Sequence, residues 1–470
     1  MQFFFPVQCG SWVIVVKVFF FFSSLVVAWQ DDFSSSTIIL NVLTRAAMNF
    51  QIFLALFNFS LSLSSTTKQS IEEKKLEKKT PLSEILFTSL LSSTVKEPYY
   101  KMFRQVTKSA PVIRTTQRLF ARSYIAGQFT GSKGSDGKYT VTLIEGDGIG
   151  PEISQAVKDI YAAADVPIHW EPVDVTPLLI DGKTTLPQPA VDSVNKNLVA
   201  LKGPLATPVG KGHTSMNLTL RRTFNLFANV RPCKSIVGYE TPYENVDTVL
   251  IRENTEGEYS GIEHTIVPGV VQSIKLITKP ASEKVIRYAF EYAKSINKPH
   301  VLVVHKASIM KLSDGLFVNT AKEVAQEYPD VSLDFELLDN TSLRLTADPS
   351  QYKNVVMVMP NLYGDIMSDL SSGLIGGLGL TPSGNMGNKV SIFEAVHGSA
   401  PDIAGKGLAN PTALLLSSCM MLRHMSLNSD ADRIENAVLK TIASGPENRT
   451  GDLKGTATTT RFTEEVIKNL

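Results

Sequence analysis

The sequence predicts an α/β fold built on a largely parallel sheet, and three observations carry that expectation. Residues 139–145 read YTVTLIE, a β-type run, and Pro151 then opens a stretch whose apolar residues Ile153, Val157 and Ile160 recur at helical spacing. The later runs VDTVLI, PHVLVVH and NVVMVMP are short, apolar and rich in β-branched residues, as strands buried on both faces should be. Between them lie SEKVIRYAFEYAKSI and DGLFVNTAKEVAQEY, whose apolar positions follow a helical period. No internal repeat at a fixed period breaks this alternation.

With 470 residues, 43% hydrophobic and 19% charged, the chain has enough apolar sequence for a sizeable core and for two or three domain-sized blocks. A formal net charge of +1 gives no bulk attraction to nucleic acid or to acidic membrane surfaces. Affinity for small anions must therefore come from local clusters. Cys9, Cys233 and Cys419 are too few and too scattered for a disulfide framework or a thiolate metal site, which fits a reducing compartment.

Residues 1–101 alternate Phe-rich and Ser-rich runs with a charged patch, IEEKKLEKK, a patchwork that rarely makes one core. Residues 12–29 are apolar except for Lys17 and two serines, near the roughly 18 residues that make a membrane span conceivable. A span and a leader outside the functional protein both explain this run. The leader is the expectation, with no stable membrane anchor, because a better targeting segment begins at Met102. Residues 102–134 carry Arg104, Lys108, Arg114, Arg118, Arg122 and Lys133 among hydroxyl residues, with no Asp or Glu. That composition is the signature of a mitochondrial transit peptide, here 102–123, and Phe103, Ile113, Leu119 and Phe120 give it an amphipathic helical pattern. A linker at 124–137 follows.

The loop EGDGIGPE places Gly146, Gly148 and Gly150 after a strand and before a helix, where glycines can cradle a phosphate. The spacing is G-x-G-x-G, and Pro151 stands where the third glycine of the dinucleotide fingerprint belongs, so a Rossmann fold is not expected. A tight turn satisfies the same glycines.

The segment SMNLTLRRTFNLFANVRP brings Ser215, Asn217, Arg221 and Arg231 into one short block, and Arg252 follows in LIRENTEGEYSG. A guanidinium grips a carboxylate through two parallel charge-assisted hydrogen bonds, so three converging arginines would match a tricarboxylate. In NLYGDIMSDL, Asp365 and Asp369 stand at i and i+4, on one face of a helix, where like charges repel unless something neutralises them. An oxygen-ligated Mg²⁺ or Mn²⁺ would do so, while a capping role for Asp365 with an exposed Asp369 is the plainer alternative. Asp339 in ELLDNTS is a third candidate ligand. Lys306, directly after the strand VLVVH, is the candidate general base, and Tyr259 the candidate proton donor to an enolate carbon.

In their order, GDGIGPE, SMNLTLRR with ANVRP, RENTEGEYSG, HKASIMKLSDGLF, DN, NLYGDIMSDL, HGSAPDIAG and ANPTALLLS resemble the β-decarboxylating dehydrogenases. That family includes isocitrate, isopropylmalate, homoisocitrate and tartrate dehydrogenases. The match runs from about residue 139 to 470, and nothing before Met102 takes part. The resemblance implies an isocitrate/isopropylmalate dehydrogenase-like fold, with a large domain at 138–228 and 376–470, a small domain at 229–375 and an intersubunit clasp near 259–279. It further implies that Ser215, Asn217, Arg221, Arg231 and Arg252 hold substrate, that Tyr259 and Lys306 are the acid/base pair, and that Asp339, Asp365 and Asp369 hold the metal. In the family, the residues matching Lys306 and Asp339 reach the active site of a neighbouring subunit, so an isolated monomer should be inactive.

The resemblance places Asp402 and Ile403 beside the adenosine ribose, with His397, Gly398, Ala400 and Asn410 lining the same pocket. An aspartate accepts hydrogen bonds from a 2′-hydroxyl and repels a 2′-phosphate, which implies NAD. Ser215 and Asn217 suit a third carboxylate, which implies isocitrate, converted to 2-oxoglutarate and CO₂ in the tricarboxylic acid cycle of the mitochondrial matrix. The unaltered metal and acid/base set implies a catalytic chain that joins a paralogous regulatory isocitrate dehydrogenase subunit in an allosteric hetero-oligomer. No nucleic acid is required.

Overall fold

The computed structural model describes residues 129–180, 183–206 and 215–470. The extension expected at 1–101, its apolar run at 12–29, the targeting segment at 102–123 and the first residues of the linker lie outside the described residues. Among the described residues no helix is long and apolar enough to cross a membrane. The described part of the linker folds back on the body: the Phe129 ring meets Tyr139 edge-on at 5.4 Å between centroids, and Lys133 Nζ lies 5.3 Å from the same ring.

The predicted alternation is present from β1 (Tyr139–Ile144) and α1 (Gly150–Ala163) onward, through β2 (Ile168–Pro172), the hairpin β3 (Leu178–Ile180) and β4 (Lys183–Thr185), α2 (Gln188–Asn197), β5 (Val199–Lys202) and α3 (Met216–Thr223). Then come β6 (Ala228–Lys234), β7 (Asp247–Glu253), the hairpin β8 (Glu263–Val267) and β9 (Val270–Ser273), α4 (Lys279–Ser295), β10 (His300–His305), α5 (Ser313–Ala325), β11 (Ser332–Leu337) and α6 (Leu338–Ala347). The chain continues with β12 (Val356–Met359), α7 (Asn361–Leu374), β13 (Pro382–Met386), β14 (Ser391–Ala395), α8 (Thr412–His424), α9 (Asn428–Ala443) and α10 (Thr459–Lys468).

Ten of these strands form one sheet in the order β11-β10-β12-β7-β6-β13-β14-β5-β1-β2. Its two flanks are parallel. The central strands β7, β6, β13 and β14 pair antiparallel, so strand direction reverses across the middle. Residues 138–228 and 376–470 supply β1, β2, β5, β13 and β14, and residues 229–375 supply β7 and β10 to β12. The strands β5, β12 and β14 are buried at every residue, as expected for sheet strands covered on both faces by helices. The hairpin β8–β9 is the opposite case, with every residue exposed.

The α1 helix starts at a proline, which fixes a helical φ and needs no N–H there, and buries Ile153, Val157 and Ile160 on one stripe. Its entry turn explains the glycine pattern. Gly146 and Gly148 have φ of +82° and +60°. A Cβ on Gly146 would lie 2.2 Å from the Pro204 carbonyl oxygen, and one on Gly148 1.9 Å from that of Ser399. The tight turn and the close approach of two other loops thus account for both glycines without a phosphate. Ile149 N donates to the Ser399 carbonyl at 2.9 Å, tying the turn to the 397–405 loop.

Gly148→Ala is expected to destabilise the protein by about 1–3 kcal/mol, through a strained φ and displacement of Ser399. Thermal melting checks it: a melting temperature equal to that of the parent would show that the two loops do not depend on this contact.

Candidate functional site

Two of the three arginines expected to hold substrate are interior residues. Arg231 in β6 is 4% exposed and Arg252 in β7 is 1% exposed. A buried guanidinium is tolerated only when its donors are met, and here most acceptors come from α7. Arg231 Nη1 donates to Ser368 Oγ and Asp369 Oδ1, each at 2.6 Å, while its Nε donates to Asn229 Oδ1 at 3.0 Å. Arg252 Nε donates to Asn361 Oδ1 at 2.9 Å, and its Nη1 donates to Asp365. Gly364 is required on this face, because a Cβ there would meet Arg252 Cβ at 2.6 Å.

Asp365 and Asp369 do share one face of α7, and each is neutralised by an arginine. The capping alternative for Asp365 fails: the N-cap of α7 is Pro360 and Asp365 lies inside the helix. Burial, then the neighbouring charge of Arg221, pulls Arg252 down to about 10 despite the opposing Asp365, and Arg231 adds to the same push. Arg252 therefore lies within reach of the charges of both other arginines. Tyr259 OH donates to Asp365 Oδ2 at 2.7 Å, and the Arg252 guanidinium lies 5.6 Å from the Tyr259 ring centre. Burial and the carboxylate both push the phenol above its ordinary range, so it keeps its proton at neutral pH.

Ser215 is the N-cap of α3, its Oγ accepting from Leu218 N at 3.5 Å. Two residues on, in the first turn, Asn217 has a buried side-chain oxygen without a partner. Arg222, beside Arg221, donates to the backbone carbonyls of Tyr259 and Ser260 at 3.2 and 3.1 Å, so α3 also supports the turn that carries the phenol.

Lys306 and Asp339 lie elsewhere. Lys306 follows β10 and Asp339 opens α6, and Lys306 Nζ donates to Asp339 Oδ1 at 2.6 Å. With Ile309, Met310, Ile366 and Leu370 they line an open groove on a different face of α7 from the one holding Asp365 and Asp369. Ile309 and Ile366 are 71% and 59% exposed there. Among the described residues no three or more His, Cys, Asp or Glu side chains gather as metal ligands. Within one chain the three predicted metal ligands therefore do not meet: Asp365 and Asp369 lie on one face of α7 and Asp339 lies by another.

The nucleotide-pocket candidates follow β14. His397 Nδ1 contacts the Gly398 carbonyl at 3.0 Å, leaving a buried Nε2 without a partner, and burial pushes the imidazole below its usual pKa. Ala400 takes a φ of +38°, and Ile403 N donates back to its carbonyl at 3.2 Å. Asp402 is exposed, Ile403 half-buried, Gly398 exposed and Asn410 buried, with Asn410 Nδ2 donating to Asp452 Oδ2 at 2.8 Å.

Between these groups runs a buried polar network that sequence reasoning missed. Asn229 Nδ2 donates to Asn385 Oδ1 at 3.0 Å, Asn385 Nδ2 donates to Glu394 Oε1 at 2.6 Å, and Lys202 Nζ pairs with Glu394 Oε2 at 2.8 Å. Burial raises Glu394, but Lys202, then Arg221, and the hydrogen bonds from Lys202 and Asn385 outweigh it and hold the carboxyl down at about 2. A signal was available: Lys202 and Glu394 are charges inside the otherwise buried strands VALK and SIFEA.

The family model described as isocitrate/isopropylmalate dehydrogenase matches residues 140–468. The chain is 68% identical over 362 residues to mitochondrial NAD isocitrate dehydrogenase subunit 2 of Saccharomyces cerevisiae, covering 76% of this chain and 98% of that one. It is 58% identical over 336 residues to the mitochondrial NAD isocitrate dehydrogenase subunit alpha of Homo sapiens, covering 71% and 91%. The crystal structure of isocitrate dehydrogenase from Methylococcus capsulatus superposes with a TM-score of 0.65 at 43% identity, covering 70% of this chain and 99% of that one.

The Glu394 carboxyl titrates near 4.5 when unfolded and at about 2 when folded, so the stability it contributes is complete above pH 4.5 and fades as pH falls toward 2. Glu394→Gln is expected to be less stable at neutral pH yet to lose less stability than the parent over that window. Denaturant melts at stepped pH read the difference, and parallel losses in both proteins would refute it.

Proposed function

The chain belongs to the isocitrate/isopropylmalate dehydrogenase family, and from that premise we propose that it is a catalytic subunit of a mitochondrial NAD-dependent isocitrate dehydrogenase. It converts isocitrate to 2-oxoglutarate and CO₂ in the tricarboxylic acid cycle. The observation that carries this reading is the cluster in which Arg252 pairs with Asp365, Arg231 with Asp369 and Tyr259 with Asp365, with Arg221 near enough to act on both Arg252 and Tyr259. A tricarboxylate is the small substrate whose charge such a cluster matches.

In this reading Arg231 and Arg252, already oriented by Asn229 and Asn361, grip substrate carboxylates without first ordering their side chains. Asn217, with its unpartnered oxygen and free amide, and Ser215 at the head of α3 face the remaining polar arm. Lys306 removes the proton of the alcohol, and Tyr259 returns a proton to the carbon left by CO₂. The phenol is protonated at neutral pH and so has the proton that this role needs. NAD, when bound, accepts the hydride; the unpartnered Nε2 of His397 is a ready acceptor in its pocket, beside Gly398, Ala400, Asp402, Ile403 and Asn410.

Asp365, Asp369 and, from a second chain, Asp339 form an oxygen-only donor set of the kind that selects Mg²⁺ or Mn²⁺. Such an ion supplies polarisation of the α-hydroxycarboxylate. We likewise assign residues 138–228 with 376–470 to a large domain, and 229–375 to a small domain bearing the β8–β9 clasp. Lys306 and Asp339 complete a neighbour's site, and the neighbour includes a paralogous regulatory subunit. The separation of the two half-sites on α7 supports this.

The test is NADH formation by the purified chain, alone and with its paralogous subunit, given isocitrate, isopropylmalate or homoisocitrate with Mg²⁺. Turnover of isocitrate with NAD is expected, and preference for another acid would sink the substrate assignment. Asp402→Ser is expected to raise kcat/KM with NADP by roughly tenfold, because it removes repulsion of the 2′-phosphate. No change in the NAD to NADP ratio would remove Asp402 from the ribose pocket.

A further inference from the structure

One buried ion pair lies between the two half-sites and takes no part in either. Asp314, the second residue of α5, is 0% exposed. Its Oδ1 is 2.8 Å from Lys275 Nζ, and its Oδ2 accepts from the Lys306 backbone N–H at 2.7 Å and from the Tyr363 hydroxyl at 3.0 Å. Lys275 stands just beyond the β8–β9 hairpin with its side chain 9% exposed. Its ammonium donates to Tyr363 OH at 3.0 Å, sits 4.2 Å from that ring's centre and pairs with Glu258 at 3.3 Å. Glu258 is the immediate neighbour of Tyr259. The backbone reinforces the link, since Gly257 and Leu276 exchange both of their N–H to carbonyl hydrogen bonds, at 2.8 and 3.2 Å.

We infer that Asp314 and Lys275 are a positioning pair: Asp314 holds the backbone at Lys306, and Lys275 ties that anchor to the turn carrying Tyr259. Tyr363, in α7, is the shared third member, so the link crosses the helix whose other face carries Asp365 and Asp369. Neither residue touches the substrate or the cofactor. A fully buried carboxylate is costly unless its acceptors are met, and here they are met by an ammonium, a phenol and the N–H of Lys306 itself. Burial works against the charge on Lys275, but its hydrogen bonds to Asp314 and Tyr363 outweigh it and raise its pKa. The acceptor of the Lys306 N–H is thus itself paired with the Lys275 ammonium, a charge-assisted arrangement that fixes the Lys306 backbone. A base displaced by a fraction of its hydrogen-bond reach loses much of its rate without losing substrate affinity, because Lys306 is not among the groups that grip the carboxylates.

The inference rests on the reading of Lys306 as a base, so the experiment separates the two. Asp314→Leu, Asp314→Asn, Lys275→Met and Lys306→Met are made in the full chain and assayed in the complete enzyme with its partner subunit, isocitrate, NAD and Mg²⁺. Asp314→Leu is expected to lower kcat by roughly tenfold or more while the KM for isocitrate stays within about threefold. Asp314→Asn, which keeps an acceptor for the Lys306 N–H, is expected to recover most of that rate. Lys275→Met is expected to fall between them.

A loss of kcat that is equal in Asp314→Leu and Asp314→Asn, or that follows melting temperature alone, overturns the inference. If Lys306→Met is inactive while Asp314→Leu matches the parent, the positioning role fails and the base assignment stands. If Lys306→Met keeps its rate, the base assignment itself fails, and the inference with it. Should Asp314→Leu not fold, Asp314→Ala in the Lys275→Met background, which removes both members of the pair, is compared with Asp314→Asn in that background by the same criteria, the loss of the Glu258 partner being common to both.

Discussion

The architecture around the site depends on one constraint: two guanidiniums lie inside a sheet, and a single helix has to satisfy both. Arg231 and Arg252 project from adjacent antiparallel strands, and α7 answers them with Asp369, Ser368, Asp365 and Asn361. The spacing of those acceptors fixes the rotation of α7 about its axis, and Gly364 lets the helix come close enough to deliver them. Once that rotation is set, the other face of α7 is determined as well. Tyr363, Ile366 and Leu370 must point toward Lys306 and Asp339. The partition of chemistry between two faces of one helix is thus a result of burying the arginines.

The same constraint accounts for the sheet. A uniformly parallel sheet would carry its ligand groups at one edge, where strands end and helices begin. Here the direction reverses through β6 and β13, so residues that follow strands on the two flanks emerge at opposite edges. The polar ladder of Asn229, Asn385, Glu394 and Lys202 crosses the reversal. Buried amides and a buried ion pair are a costly way to fill a sheet, but they leave each acceptor with a defined donor. That gives the central strands one register where apolar residues would tolerate several.

Much of this was legible in the sequence. Strands such as VLVVH and VMVM are apolar on both faces, and helices such as α1 carry a clear stripe, because burial leaves a periodic mark on residue choice. The site was legible for a different reason: arginines, paired aspartates and a lysine after a strand are scarce residue types in apolar surroundings. What could not be read was who pairs with whom. Asp365 was open to a capping role until the N-cap of the helix appeared at Pro360, five residues earlier in the chain. Lys275 and Asp314 left no mark at all, since a lysine in a hairpin stem and an aspartate in a first helical turn are unremarkable singly. Their meaning comes from a contact between residues distant in sequence. The glycines of GDGIGPE left a tight turn and a phosphate cradle both open, and the close approach of the Pro204 and Ser399 oxygens accounts for them by the turn.

The hairpin β8–β9 exposes Ile266, Val267, Val270 and Val271 at 59%, 52%, 48% and 67%. Exposed apolar strands with free edges are sticky toward any similar edge, including those of unrelated nascent chains. For the cell this makes an orphaned copy a proteostasis burden. The supply of this chain has to be matched to whatever covers that hairpin, or chaperones and proteases must clear the surplus.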